Sequence, residues 1–266
     1  MAGLFERDYN VLTDDEVKEK EIIDSEGGHV SGSGIGRRNF FHKYPKAIRH
    51  NLSLFPNNYM DINMLKDEEE LKKQCDAFED LVNNKNITEL DVKRFIQNNA
   101  YYHIPASIFG LYNFGHHEAS LFKEFQLGTY YKADYLLVGR ASGGYQFIFV
   151  EFENPYSKIT KSDGNWGETV RKGLEQIGDW KTYVEQNYST LNAEFLKYTN
   201  KQLPKEFYTF DSTRMNYVVV AGRRKDFEAE NTRIAQRRIE QEQHIKIIHY
   251  DNLIDEARRL IGALTY

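Results

Sequence analysis

The stretch YKADYLLVGRASGGYQFIFVEFENP, residues 131–155, decides how the whole sequence is interpreted. It holds most of two runs of apolar, β-branched and aromatic residues, 130–138 and 146–153, joined by a loop of glycine and small or polar residues. This pattern predicts a β-hairpin. If Ala141 to Gly144 form the loop, Asp134 lies opposite Glu151, and Lys132 lies opposite Glu153.

This register brings three carboxylates together. Directly opposed residues share one face of a sheet with Cβ atoms about 5 Å apart, and residues two apart on a strand share a face too. Asp134, Glu151 and Glu153 are therefore expected to converge beside the ammonium group of Lys132. Carboxylates held together in an apolar hairpin repel one another. A divalent cation such as Mg²⁺, which takes oxygen ligands and stabilises charge on a phosphodiester, would compensate.

The residue pattern alone leaves a second interpretation open. The acids could be hydrated on an edge hairpin, with Lys132 and Glu153 as an ordinary cross-strand ion pair. Glu-x-Glu is a weak motif by itself. It gains weight here because Asp134 lies upstream on the paired strand.

Upstream of the hairpin the spacing of apolar residues is helical. Residues 67–84 carry apolar side chains three and four positions apart. The segment Thr88-Glu89-Leu90-Asp91 resembles a capping box, which predicts a second helix that ends near Asn99. A third helix is predicted just before Gly128, and its buried side consists of Leu121, Phe122 and Phe125.

Downstream of the hairpin, helices and strands alternate. A long amphipathic helix is predicted from Glu168 to Gln186, and Tyr217 to Ala221 is so uniformly apolar that we expect it at the centre of a sheet. A polar helix, a strand and a closing helix are predicted at 226–243, 245–249 and 252–261. This order of elements predicts an α/β fold.

Composition excludes several classes of protein. A net charge of −5 over 266 residues argues against a protein that binds polyanions with its whole surface, but it permits a local basic groove. The single cysteine, Cys75, excludes an intramolecular disulfide and an all-cysteine zinc site. No apolar run approaches about 18 residues, and the N-terminus MAGLFERDYN is too charged for a signal peptide. We therefore expect a cytoplasmic protein with no membrane partner.

Four further features each have two interpretations. The glycine-rich segment Ser31 to Gly36, followed by Arg37-Arg38, is interpreted as a loop because it lacks the Lys-Ser/Thr of a phosphate-binding loop. His116-His117-Glu118 is interpreted as a polar loop rather than a metal site. Trp166 could stack on a base or anchor its loop. One basic group could contact DNA phosphates or form a solvated helix: Arg223-Arg224-Lys225, Arg233, Arg237 and Arg238.

An ordered series of segments resembles the core of Shedu-type nucleases, which are prokaryotic anti-phage proteins of the PD-(D/E)xK nuclease superfamily. The resemblance covers roughly residues 90 to 262. It implies a mixed sheet flanked by helices in a nuclease-like domain over 86–266. An N-terminal segment, 1–85, is expected to be mostly helical or irregular, with a role in regulation or assembly. The resembling segments are FIQNN (95–99), KEFQLG (123–128), YKADYLL (131–137), VEFENP (150–155), QIGDW (176–180), VVAGRR (219–224) and HYDNLI (249–254).

The resemblance also implies roles for individual residues. Asp134 and Glu151 would be ligands of Mg²⁺ or Mn²⁺, and Glu124 would be a further metal ligand on the preceding helix. Gln176 would lie near the metal or the DNA backbone, and its place on the predicted helix puts it at the edge of the buried side. The implied partners are phage or plasmid DNA and further copies of the chain in a homo-oligomer.

One departure from the superfamily pattern affects the expected chemistry. The pattern ends in lysine, and this sequence has Glu153 there. A glutamate would accept a proton or bind a cation, and Lys132 or Lys158 could supply the positive charge. We expect a metal-dependent DNA endonuclease with Asp134, Glu151, Glu153, Gln176 and Lys132 at its catalytic site. The alternatives are a catalytically inactive DNA-binding or assembly protein with the same fold and, with less support, a two-carboxylate glycosidase.

Overall fold

The computed structural model describes residues 3–27, 40–162 and 164–266. The glycine-rich segment Ser31 to Gly36 and the pair Arg37-Arg38 lie outside these residues. The described chain forms one five-stranded sheet in which the strands are adjacent in sequence order. The strands are β1 (Glu118–Leu127), β2 (Tyr131–Ala141), β3 (Gly144–Phe152), β4 (Met215–Val220) and β5 (Ile245–Ile248).

The sheet is mixed, as predicted. β1, β2 and β3 pair antiparallel, whereas β3 with β4 and β4 with β5 pair parallel. Parallel neighbours need crossover connections, and the long helices of the second half of the chain supply them. The apolar strand around Tyr217 to Ala221 lies between β3 and β5, so its predicted central position is confirmed.

The helices surround this sheet and agree with most of the predicted ones. The second predicted helix begins with a capping box between Thr88 and Asp91, as its sequence indicated. The long helix extends further than expected and is kinked at Asn187. The described α-helices are α1 (Asp14–Gly27), α2 (Lys46–Leu52), α3 (Glu68–Asn83), α4 (Glu89–Asn99), α5 (His103–Ala106), α6 (Glu168–Phe195), α7 (Glu230–Gln243) and α8 (Tyr250–Arg259).

The hairpin has the predicted register with a shorter turn. Ala141 pairs with Gly144, so only Ser142 and Gly143 form the turn. The pairing continues without interruption to Tyr135 and Val150. Both strands therefore reach further toward the turn than their apolar runs indicated.

The predicted helix before Gly128 is wrong, because this segment is strand β1. Phe122 and Phe125, three residues apart as on a helix face, pack in the same apolar core, while Leu121 packs on the other side of the sheet. The spacing arises because Glu124 has a left-handed backbone, with φ 49°, that interrupts the alternation of the strand. The apolar residues of β1 therefore show a helical spacing although the chain is extended and pairs with β2.

Apolar residues cover both faces of the sheet. The first core contains Phe78 of α3, Val92 of α4 and Leu253 of α8, and it also includes Leu4 and residues near Met60 from the N-terminal segment. The second core packs the apolar side of α6 against the opposite face of the sheet. In the described part of the chain no helix is both long enough and apolar enough to cross a membrane.

His103 yields a prediction about acid stability. Its side chain is 2 % exposed and lies beside Cys75 in the first core, and burial lowers its pKa to about 4. As the pH falls below the usual pKa of about 6.5, the unfolded chain takes up a proton that the folded chain refuses, so stability is lost between pH 6.5 and 4. His103→Gln should reduce the loss of unfolding free energy between pH 7 and pH 4.5 by about 2 kcal/mol.

Urea unfolding at the two pH values measures this difference. His117→Gln is the matched control, because the side chain of His117 is exposed whereas that of His103 is buried. An equal pH dependence in wild type and His103→Gln would contradict the prediction.

Candidate metal centre at the ends of β2 and β3

Asp134, Glu151 and Glu153 lie at the end of the hairpin that is far from its turn. The ladder stops at Tyr135 and Val150, so Asp134 and Glu151 are the next residues on their strands. The three side chains are buried, with exposures of 7 %, 5 % and 3 %. β3 is an interior strand, which removes the interpretation of hydrated acids on an edge hairpin.

Asp134 is held by two donors. Its Oδ2 accepts a hydrogen bond of 2.9 Å from the backbone N–H of Phe152, where the next bond of the ladder would be. Its Oδ1 accepts a hydrogen bond of 2.7 Å from Nζ of Lys93, a half-buried residue of α4. Burial raises the pKa of Asp134, and the positive charge of Lys93 opposes this rise.

Glu151 and Glu153 differ from Asp134, because each of them has a buried oxygen that accepts no hydrogen bond. Oε2 of Glu151, Oε1 of Glu153 and Oε1 of Gln176 have no hydrogen-bond partner. Burial, together with nearby carboxylates, raises the pKa of Glu151 to about 9, and burial raises the pKa of Glu153 to about 7. Unsatisfied buried acceptors are costly and uncommon, so the two on neighbouring residues Glu151 and Glu153 call for an explanation.

Helix α6 packs closely over Glu153. A Cβ atom on Gly173 would lie 3.2 Å from Cγ of Glu153 and 3.1 Å from Cγ1 of Val219, so only glycine permits this approach without displacement. Gln176 follows about one helical turn later. The backbone of Glu153 is also fixed, because its N–H donates to the carbonyl of Val220 and its carbonyl accepts from the hydroxyl of Tyr250.

Sequence reasoning missed two charged residues of this centre, Glu89 and Lys93. Both are on α4, where Nζ of Lys93 donates to Oε1 of Glu89 at 2.5 Å as well as to Asp134. The charge of Glu89 adds to the rise in the pKa of Glu151 and Glu153. Their spacing of four on a capped helix was a visible signal, but it is equally typical of an exposed helical ion pair.

Two predicted site residues, Glu124 and Lys132, pair with each other. Glu124 is on strand β1, not on a helix, and its half-exposed carboxylate accepts a hydrogen bond of 2.7 Å from Lys132. This bond holds the pKa of Glu124 below its usual value. The ammonium of Lys132 was expected beside Glu153, and it contacts Glu124 instead. Lys158 is exposed.

The other charged motifs have structural partners. Arg223 forms two hydrogen bonds with Asp251, of 2.8 and 3.0 Å, and a third with the carbonyl of Val82, so it ties α8 to the end of α3. Arg224 pairs with Asp255. For Arg223 and Arg224, these contacts favour a role in surface salt bridges over a role in binding DNA phosphates.

Trp166 and Glu118 also have local structural roles. Trp166 is half-buried against the second core, and an isolated bridge pairs its backbone with Thr160, which favours the role of a loop anchor. Glu118 begins strand β1 and accepts hydrogen bonds from the N–H of Leu54 and the hydroxyl of Tyr145. It therefore belongs to the framework and not to a loop with His116 and His117.

The donor set of the centre fits a hard cation in part. Two carboxylate oxygens and an amide oxygen without donors are ligands that Mg²⁺ and Mn²⁺ accept. Glu151, Glu153 and Gln176 could therefore hold such an ion, whereas both oxygens of Asp134 are already bonded and Glu124 is paired with Lys132. Within 3–27, 40–162 and 164–266 no group of three or more His, Cys, Asp or Glu side chains is arranged to hold a metal ion.

Comparison with known protein families identifies the part of the chain that holds the centre. The sequence profile of the family described as Shedu protein SduA, C-terminal, matches residues 86–254, which run from just before α4 into α8. This range is well over half of the chain and includes every residue of the centre. No curated protein shows a significant match to the sequence. The chain therefore belongs to the Shedu SduA C-terminal family.

Proposed function

We propose that this chain is a metal-dependent DNA endonuclease that hydrolyses phosphodiester bonds in anti-phage defence. Membership of the Shedu family supports a role in defence. The observation that carries the proposed chemistry is the pair of buried carboxylates at the end of β3, Glu151 and Glu153, each with an oxygen that lacks a donor. A cation and a polar substrate would satisfy these atoms, and apolar packing cannot.

The residues that would hold the cation are Glu151, Glu153 and Gln176, with Asp134 as a further ligand if it is released by Lys93. A bound Mg²⁺ or Mn²⁺ would supply Lewis-acid stabilisation of charge on the phosphodiester and a more acidic water. Burial keeps these carboxylates poorly hydrated, which strengthens their attraction for a cation.

Glu153 and Lys172 are suited to act on the substrate directly. Because burial raises the pKa of Glu153 to about 7, its carboxylate could accept a proton from an attacking water near neutral pH, as the alternative to binding the cation. Lys172 is exposed on α6 next to Gly173, and its charge opposes the rise in the pKa of Glu153. Its ammonium therefore lies where it can attract a DNA phosphate to the centre.

A specific contact also favours the second candidate function, an inactive DNA-binding or assembly protein that retains the fold. Lys93 neutralises Asp134 without any metal ion, so the centre is partly satisfied by the protein itself. In either case we propose that the N-terminal segment, which packs into the first core, supports assembly of a homo-oligomer.

Substitution of the buried acids tests the nuclease proposal. Glu151→Gln and Asp134→Asn keep the shape of each side chain but remove its charge, and each should reduce Mg²⁺-dependent cleavage by at least about 100-fold. Glu124→Gln is the matched control, because Glu124 is half-exposed and paired with Lys132, and it should change the rate by less than about threefold. Cleavage is measured on plasmid and linear duplex with Mg²⁺, Mn²⁺ or chelator.

The outcomes separate the two candidates. If wild type cuts neither duplex nor single-stranded DNA with either ion, the chain is the binding or assembly protein. If cutting survives Glu151→Gln, the assigned centre is wrong although the chain is a nuclease. A large loss in Glu124→Gln would restore Glu124 as a ligand.

Two glycines of α6 provide a test of the fit around Glu153. Gly178 has no atom within 4 Å of a Cβ, so Gly178→Ala should stabilise the protein by about 0.5–1 kcal/mol through helix propensity. Gly173→Ala gains the same propensity, but its methyl group must displace Glu153 or Val219. We expect Gly173→Ala to lower the cleavage rate by at least about tenfold, because a small displacement of a catalytic group is costly. Thermal unfolding and cleavage are measured for both variants, and equal cleavage rates would contradict the assignment of Glu153.

A further inference from the structure

Lys93 is placed where it can act on the whole acidic centre. Its Nζ lies 2.7 Å from Oδ1 of Asp134 and 2.5 Å from Oε1 of Glu89, and its side chain is 20 % exposed. The positive charge of Lys93 acts electrostatically on Asp134, Glu151 and Glu153 alike. The ammonium is thus an internal counter-charge for carboxylates that lie on other elements.

The hydrogen-bond pattern within the centre is uneven. Both oxygens of Asp134 have donors, one of them Lys93, whereas Glu151 and Glu153 each keep a buried oxygen without one. A divalent ion bound to the unpaired oxygens of Glu151 and Glu153 would lie close to the ammonium of Lys93, which contacts the neighbouring carboxylate of Asp134. Two cations in a poorly hydrated site repel each other strongly, so they compete for Asp134.

We propose that Lys93 is a built-in competitor of the divalent ion, which sets the ion concentration at which the centre is loaded. The inference rests on the proposed function, because it takes the centre to be a divalent-ion site. Lys93 has a place to go when the ion binds Asp134, since Glu89 lies one turn before it on α4 and already accepts its second hydrogen bond. Lys93 is therefore a positioning residue that acts through Asp134.

Direct measurement of Mn²⁺ binding tests this role without reference to activity. Lys93→Met keeps the length of the side chain and removes its charge, and it should bind Mn²⁺ at least about tenfold more tightly than wild type at low ionic strength. Lys93→Gln is a second variant that serves if Lys93→Met does not fold. It removes the charge but keeps a hydrogen-bond donor for Asp134, and it should also bind Mn²⁺ more tightly than wild type. The affinity is measured on the full chain by calorimetry and by electron paramagnetic resonance of free Mn²⁺.

Lys72→Met is the matched control. Lys72 forms an exposed pair with Glu68 at the same spacing of four, but on α3, and its loss should leave Mn²⁺ affinity unchanged. If wild type binds Mn²⁺ and both Lys93 variants bind it equally or more weakly, the role of Lys93 is wrong and the metal centre stands. If neither wild type nor the variants bind Mn²⁺, the proposed function fails, and the role of Lys93 fails with it.

Discussion

The burial of carboxylates against an apolar sheet is the constraint on which this structure depends. Glu151 and Glu153 end an interior strand, and both neighbouring strands and helix α6 exclude water from them. Transfer of such groups from water is expensive unless charge or hydrogen bonds replace hydration. For the adjacent Asp134 the surrounding elements supply such replacements: an ammonium on α4 and a backbone N–H on β3.

The features of this fold that could be predicted from the sequence are those set by residues close together in the chain. The hairpin register followed from local information, because the glycine-rich turn and the apolar alternation fix which residues are opposed. The capped start of α4 was equally local. Strand β1 was mispredicted because the left-handed Glu124 produces a helical spacing, and only pairing with β2 reveals the strand. A single sequence carries no direct signal of that pairing.

The composition of the centre was predictable only where its residues share the hairpin. Asp134, Glu151 and Glu153 are neighbours through the register, whereas Lys93 arrives through the docking of α4 on the first core. Sequence proximity instead suggested Lys132, which reaches no further than Glu124. Tertiary packing thus decides which lysine pairs with which carboxylate. The first core also contains residues from both sides of residue 86, where the family match starts. The N-terminal segment and the family-matched part therefore share one interior.

The hydrogen bond from the N–H of Phe152 to Asp134 has a further use. A side-chain oxygen here occupies the position of a backbone carbonyl in the ladder, so this amide senses the carboxylate directly. Its proton resonance and its exchange rate with solvent change whenever Asp134 gains a proton, loses Lys93 or takes another cation. Phe152 is buried, which keeps other solvent effects small. A single backbone amide in the interior is therefore a spectroscopic reporter of the charge state of the centre.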